Sequence, residues 1–303
     1  MSESPLSLSP YEVLGVTASV SDDQLRKAFR KALRETHPDT GGDPQRFTAV
    51  QTAWERIGSP EKRAAYDAGH GGASEHGTFT ARPARPAQDT RPKPRSYGHP
   101  GGWRRERFLS QMREWVGRGV TLDDPYDPVL VRTAPREIRR TLADALAEEA
   151  TARTLSTLGI GYTIWHDVLT GDAEAKIDHI VLGPTGLVAL LSEDFGGAVR
   201  VRKGELIGEA VAGERPMHEL GVRAKVISRQ LRVKFTALAI VLPDDAFDEP
   251  LVSLGTVRGA AAVAVRQSVL AGLLRSGVPG AEPMGGNELF DVRTRLVGGI
   301  RFV

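Results

Sequence analysis

The sequence predicts two domains of different class: a small all-α helical domain over residues 8–69 and an α/β domain with a mixed sheet over residues 103–303. Three observations carry this. Apolar residues recur at helical spacing between residues 10 and 68. From Ala68 to Gly102 that period is lost, and Pro83, Pro86, Pro92, Pro94 and Pro100 stand among Gly, Ser and Thr. From Trp103 onward helical and strand-like runs alternate to the C-terminus, the mark of an α/β layer structure.

In the first domain, Ser21-Asp22-Asp23-Gln24 has the form of a capping box, with the Ser hydroxyl placed to accept an otherwise orphaned amide. Leu25, Ala28, Phe29, Ala32 and Leu33 follow as one apolar helical face, and Arg26, Lys27, Arg30, Lys31 and Arg34 as the opposite one. Asp43-Pro44 reads as an N-cap with proline at the first helical position. Phe47, Val50, Trp54 and Ile57 then supply the facing stripe of a second long helix. The two helices are joined by His37-Pro38-Asp39-Thr40-Gly41-Gly42, where Pro38 disfavours helix continuation and the glycines permit a tight turn.

Residues 70–102 read as a semi-extended Pro/Arg-rich flexible linker. Between residues 69 and 107 there are eight Lys or Arg against three Asp or Glu. Two readings of that basic stretch, Arg82 through Arg107, are a solvated tether and a weak, sequence-independent nucleic-acid contact. The tether is favoured, because only Tyr97 and Trp103 offer stacking faces beside these charges.

In the second domain a helix is expected over 136–158, and strands over 162–168, 177–182, 187–191 and 199–201. Gly183-Pro184-Thr185-Gly186 marks a hairpin between the second and third of these. A helix follows from Met217 to about Val233, then strands over 236–242 and 260–265 and a short helix ending near Ser276. No internal repeat is present.

Composition excludes several functions. The 303 residues carry 40 Lys and Arg against 38 Asp and Glu, a net charge of +2 that gives no global pull toward nucleic acid or membrane. Without a single Cys there are no disulfides, zinc ribbons or thiol catalysis. The N-terminus lacks a secretory pattern, and the most apolar stretch is interrupted by Arg266 and Gln267. A soluble, cytoplasmic protein is the expectation, with no bound metal or cofactor and no membrane partner.

Four motifs in order resemble the J-domain of DnaJ-type co-chaperones: Tyr11-Glu12-Val13-Leu14-Gly15-Val16, the 25–33 helix, His37-Pro38-Asp39, and Ala53-Trp54 through Ser59-Pro60-Glu61-Lys62-Arg63-Ala64-Ala65-Tyr66-Asp67. Thr36 departs from the family, which commonly has an aromatic residue there. The resemblance implies a non-catalytic domain that binds a DnaK-type chaperone and stimulates its ATP hydrolysis. Asp39 would pair with a basic group on that partner, His37 and Pro38 would shape the loop, and Arg26, Lys27, Arg30 and Lys31 would meet an acidic surface. Gly/Phe-rich and zinc-binding regions of full-length DnaJ have no counterpart in this sequence, so client choice or targeting falls to the C-terminal part.

Residues 147–200 resemble the nuclease-related domain (NERD) branch of the PD-(D/E)XK, restriction-endonuclease-like fold. The match rests on Glu148-Glu149, Trp165-His166-Asp167, Ile177-Asp178-His179-Ile180-Val181-Leu182-Gly183-Pro184-Thr185-Gly186 and Gly197. Catalysis in that fold needs clustered carboxylates around a divalent cation and a Lys that positions water. Glu148 and Asp178 match the helical acid and the first strand acid. Counting back from Gly197, the expected acid-x-Lys positions hold Leu191 and Glu193, which makes the site vestigial and nuclease activity lost. Lys225 on the following helix is the candidate for a migrated Lys. His166 and His179 are read as core or hydrogen-bonded residues rather than metal ligands. Two alternatives remain: a NERD-type metal-dependent nuclease with a rearranged site, and a purely scaffolding adaptor.

Overall fold

The computed structural model describes residues 8–36, 43–70, 92–117, 119–171 and 175–303. It separates into two compact units, one of residues 7–83 with 126–131 and the other built on residues 84–125 and 132–303.

The first unit contains α1 (Pro10–Val13), α2 (Asp22–Thr36), α3 (Pro44–Ile57) and α4 (Pro60–His70). Ser9 and Glu12 close a capping box at α1. Ser21 and Gln24 close the expected one at α2, with the Gln24 amide 3.4 Å from the Ser21 hydroxyl. Tyr11, Leu14, Leu25, Val50, Ala53 and Ile57 form the buried core, and Phe29 stacks on Trp54 with ring centroids 4.3 Å apart. The two apolar stripes therefore face each other, as their spacing predicts. Arg63 of α4 ties this unit together: it donates to Asp22 at 2.7 Å, to the carbonyls of Ala18 and Val20 at 2.9 and 2.6 Å, and to the Tyr11 hydroxyl at 3.1 Å.

The second unit contains β1 (Arg95–Tyr97), α5 (Gly102–Val116) and α7 (Arg136–Leu155), and the short α6 (Pro128–Thr133), between α5 and α7 in the chain, has its residues 128–131 in the first unit. Next come β2 (Thr163–Leu169), β3 (Lys176–Gly183), β4 (Gly186–Ser192), β5 (Arg200–Arg202), β6 (Glu205–Ile207) and α8 (Pro216–Leu231). It ends with β7 (Ala237–Leu242), β8 (Leu251–Val257), β9 (Ala260–Arg266), α9 (Leu270–Ser276) and α10 (Gly286–Gly299). Seven strands form one mixed sheet in the order β1-β2-β3-β4-β7-β9-β8, and β5 and β6 pair separately. β2, β3 and β4 form an antiparallel meander, while β4, β7 and β9 run parallel. Leu220, Ala224 and Ile227 of α8 pack on one sheet face, and Leu155 of α7 with Leu270 and Leu273 of α9 on the other. β3, β4 and β7 are buried along their full length, as expected for strands covered on both sides. The β3–β4 turn needs its glycines: Gly186 sits at φ +127°, where a Cβ would lie 2.4 Å from the Thr236 hydroxyl.

β1, β8 and α10 are among the elements that the sequence does not announce. Residues 95–97, assigned to the linker, pair in parallel with β2, so the tether ends before residue 95 and not at 102. β8 escapes the alternation rule because it lies at the sheet edge with a register shift between Ser253 and Gly255. α10 follows Gly285-Gly286 and buries only Val292 and Leu296, too sparse a stripe to stand out.

Candidate functional site

In the helical unit Arg26, Lys27, Arg30 and Lys31 are all exposed on α2. Arg26 leans on Asp23 at 3.7 Å and Lys31 on Glu35 at 3.9 Å, contacts weak enough to exchange for a partner's acids. His37, Pro38 and Asp39 lie outside the described residues. The Thr36 hydroxyl donates back to the Ala32 carbonyl at 2.8 Å, which satisfies the last turn of α2 where the aromatic residue is missing.

The second unit places Glu148 and Asp178 together and fully buried. Between them lies the ammonium of Lys176, at 2.6 Å from Glu148, 2.9 Å from Asp178 and 2.6 Å from Asp167. Strand alternation puts Lys176 and Asp178 on one face of β3, and the β2–β3 register puts Asp167 opposite Asp178. The Trp103 ring lies 5.9 Å from the ammonium, on α5. Lys225 takes no part in the cluster: it is an exposed residue of α8, and the Lys that stands among these carboxylates is Lys176.

A second tier surrounds this core. Arg104 of α5 pairs with Glu148, with Asp144 at 2.9 Å and with Glu193 at 3.6 Å. Arg140 of α7 pairs with Glu193 and with Asp144 at 2.9 Å. Glu193 thus draws in two arginines. Leu191 is buried in the apolar layer with Ile180 and Ile240. Ser192 between them donates its amide to Asp178 at 2.8 Å and its hydroxyl contacts Thr151 at 2.9 Å. The Gly101 amide, at φ +73° before α5, donates to Glu148 at 3.1 Å.

Five buried carboxylates (Asp144, Glu148, Asp167, Asp178, Glu193) therefore face three cations (Lys176, Arg104, Arg140), an excess of two negative charges. Protons relieve it. Burial and the charge of Asp178 push Glu148 up to about 8 despite its two cationic neighbours. Burial and Glu193 push Asp144 up to about 7. Burial opposes ionisation of Asp178 as well, but Lys176 and Arg104 outweigh it and hold that carboxyl well below the usual range. Burial would lower Lys176, and Asp178 and Glu148 more than compensate, so it stays charged.

A divalent cation does not fit this arrangement. The oxygens of Glu148, Asp167 and Asp178 that would ligate it point at an ammonium, and Glu148 also accepts from Arg104. Among the described residues no group of three or more His, Asp or Glu is placed to hold a metal ion.

His166 and His179 face each other with their Nδ1 atoms 2.7 Å apart, and His166 Nε2 is 2.8 Å from the Ser96 hydroxyl. One Nδ1 must donate and the other accept, so the accepting ring is neutral with its proton on Nε2. Burial pushes His166 down to about 4, and burial with the adjacent ring holds His179 well below its ordinary value. The pair anchors β1 to the sheet. The basic stretch also changes character: Arg104 and Arg105 are committed to Asp144, Glu148, Glu193 and Glu149, and Arg107 lies 5.2 Å over Trp103.

The fold and these two sites define a protein with a small helical module and a nuclease-like α/β module. The DnaJ domain model matches residues 9–67 and the nuclease-related domain model residues 143–242, so the chain carries both. A DnaJ protein homolog of Cucumis sativus is 44% identical over 77 residues, which cover 23% of this chain and 19% of that protein. Chaperone protein dnaJ A6 of Oryza sativa subsp. japonica is 53% identical over 57 residues, covering 19% of this chain and 14% of its own. Chaperone protein DnaJ 2 of Streptomyces albus G is 41% identical over 70 residues, with 22% and 18% covered. The chain thus spans under a fifth of the length of these curated relatives. No helix among the described residues is long and apolar enough to cross a membrane.

Proposed function

We propose that the protein is a J-domain co-chaperone that binds a DnaK-type chaperone and stimulates its ATP hydrolysis, with the nuclease-related domain serving as a non-catalytic targeting or client-binding module. The first half rests on the His37-Pro38-Asp39 sequence following a helix whose basic face is exposed and whose apolar face is packed. The second half rests on one observation: the ammonium of Lys176 occupies the space between Glu148, Asp167 and Asp178. Chemistry that needs those oxygens around a divalent cation would first have to expel a buried Lys whose charge they stabilise.

The working place for such a chain is the cytoplasm. Single-turnover ATP hydrolysis by a DnaK-type chaperone, with and without the full chain, tests the first half. Stimulation is expected, and Asp39→Asn should abolish it, because the substitution keeps the shape and removes the charge. Equal stimulation by the substituted chain would overturn the reading.

The rearranged nuclease is the second reading: Glu148, Asp178 and Lys176 are residue types that hydrolysis uses, but this reading requires the ammonium to leave the space between the acids when the cation binds. Incubation with single- and double-stranded DNA and with RNA in Mg²⁺ or Mn²⁺ separates the two. No cleavage is expected; cleavage lost in both Asp178→Ala and Lys176→Ala would establish the nuclease instead.

A further inference from the structure

Apart from the carboxylate cluster, two locally unfavourable choices converge on one place in the second unit. Gly221 stands in the interior of α8, where glycine is a poor helix former. A Cβ there would lie 2.6 Å from Val257 Cγ1 and 3.7 Å from the Arg258 Nε, so the glycine admits the β8–β9 turn against the helix. That turn has only two residues, Arg258 and Gly259, at φ +53° and +84°. Both central residues of such a turn need left-handed backbone, for which Asn, Asp or Gly is the usual first residue and Arg a strained one.

Between α8 and the turn lies a cavity of about 360 Å³. Leu238, Val257 and Ala260 wall it, and Lys225, Ser228 and Arg258 supply its polar groups. None of its lining residues is acidic, and among the described residues neither Lys225 nor Arg258 has an ion-pair or side-chain hydrogen-bond partner. This separates it from the carboxylate cluster, where every cation is matched. Two unmatched cations and a hydroxyl beside an apolar wall are the recognition set for a doubly charged anion carried on a small apolar body.

We propose that this cavity is a binding site for a small phosphomonoester, its phosphate held between Lys225 and Arg258 with Ser228, and its body against Leu238 and Val257. The volume lies in the usual range for small-molecule sites, about 300–1,000 Å³, near its lower end. The site asks for one phosphate and one ring-sized group, and it explains why Arg stands where the turn favours Asn.

Calorimetric titration of the full chain with phenyl phosphate, inorganic phosphate and benzyl alcohol tests this. Phenyl phosphate should bind saturably at one per chain, about tenfold or more tighter than either fragment. Lys225→Gln and Arg258→Asn should each weaken it by about tenfold or more. Arg258→Asn should also raise the melting temperature, because Asn tolerates the left-handed turn, so lost binding in that variant is not lost folding. Absence of saturable binding of phenyl phosphate up to about 10 mM, or binding unchanged in both variants, would overturn the site. Equal affinity for inorganic phosphate would overturn the ligand class.

Discussion

Lys176 Nζ lies 2.9 Å from Asp178 Oδ1, two residues further along the same strand, so the strand that supplies the acid of the nuclease-like site also supplies the cation that fills it. The partners are buried to 3% exposure or less, where an ion pair is held by geometry and hydrogen bonds rather than by attraction alone.

Replacing Lys176 by Met should therefore strand three carboxylates without their shared counter-charge. A loss of about 3–5 kcal/mol is expected from urea unfolding of the full chain. Adding Asp178→Asn to that variant should recover part of it, since one of the stranded charges is then removed.

Stability should fall as pH rises from 6.5 to 8. A carboxyl held at about 8 in the folded state, against an ordinary 4.5, binds its proton more tightly when folded; its contribution is complete below the unfolded value and is lost on the way up to 8. His166, depressed to about 4 from 6.5, acts in the opposite sense: its contribution is complete above 6.5 and is lost as pH falls toward 4. Above 6.5 the Glu148 effect stands with that of Asp144, and the raised Glu214 carboxyl acts in the same sense, at most about 1.4 kcal/mol per pH unit for one proton. Melting temperatures of the parent and Glu148→Gln between pH 6.5 and 8.5 check this, and the Gln variant should show a flatter profile.

Arg63→Met should loosen the helical unit by about 2–3 kcal/mol, because the carbonyls of Ala18 and Val20 lose a charged donor together with Asp22. Hydrogen exchange should rise across residues 17–22 while the α2–α3 core stays protected. Chaperone stimulation should weaken without vanishing, since Arg63 stands apart from the 37–39 loop in sequence.

Filter binding of the intact chain to DNA at physiological salt should be undetectable. Arg104, Arg105 and Arg107 were counted with the basic stretch, yet the first two are paired with acids and the third lies over Trp103. Micromolar affinity with a steep salt slope, lost on deleting residues 80–107, would show the remaining charges acting as a nucleic-acid contact.

By itself the sequence determined the helical unit, because its signals are local: a Ser-to-Gln capping box, apolar residues three and four apart, and a Pro-Asp loop between them. It likewise determined β4 and β7, where continuous apolar runs leave no other fate than burial. Only the tertiary structure decided what fills the nuclease-like site. Lys176 on β3, Asp167 on β2, Arg104 on α5 and Glu148 on α7 are up to 72 residues apart in the chain, and none carries a local mark of its partner. Lys176 stands just before the strand expected over 177–182, and that a Lys there turns inward follows from three buried carboxylates converging on it. Local propensity is written in neighbouring residues, whereas charge compensation in a buried cluster depends on which elements the fold brings together.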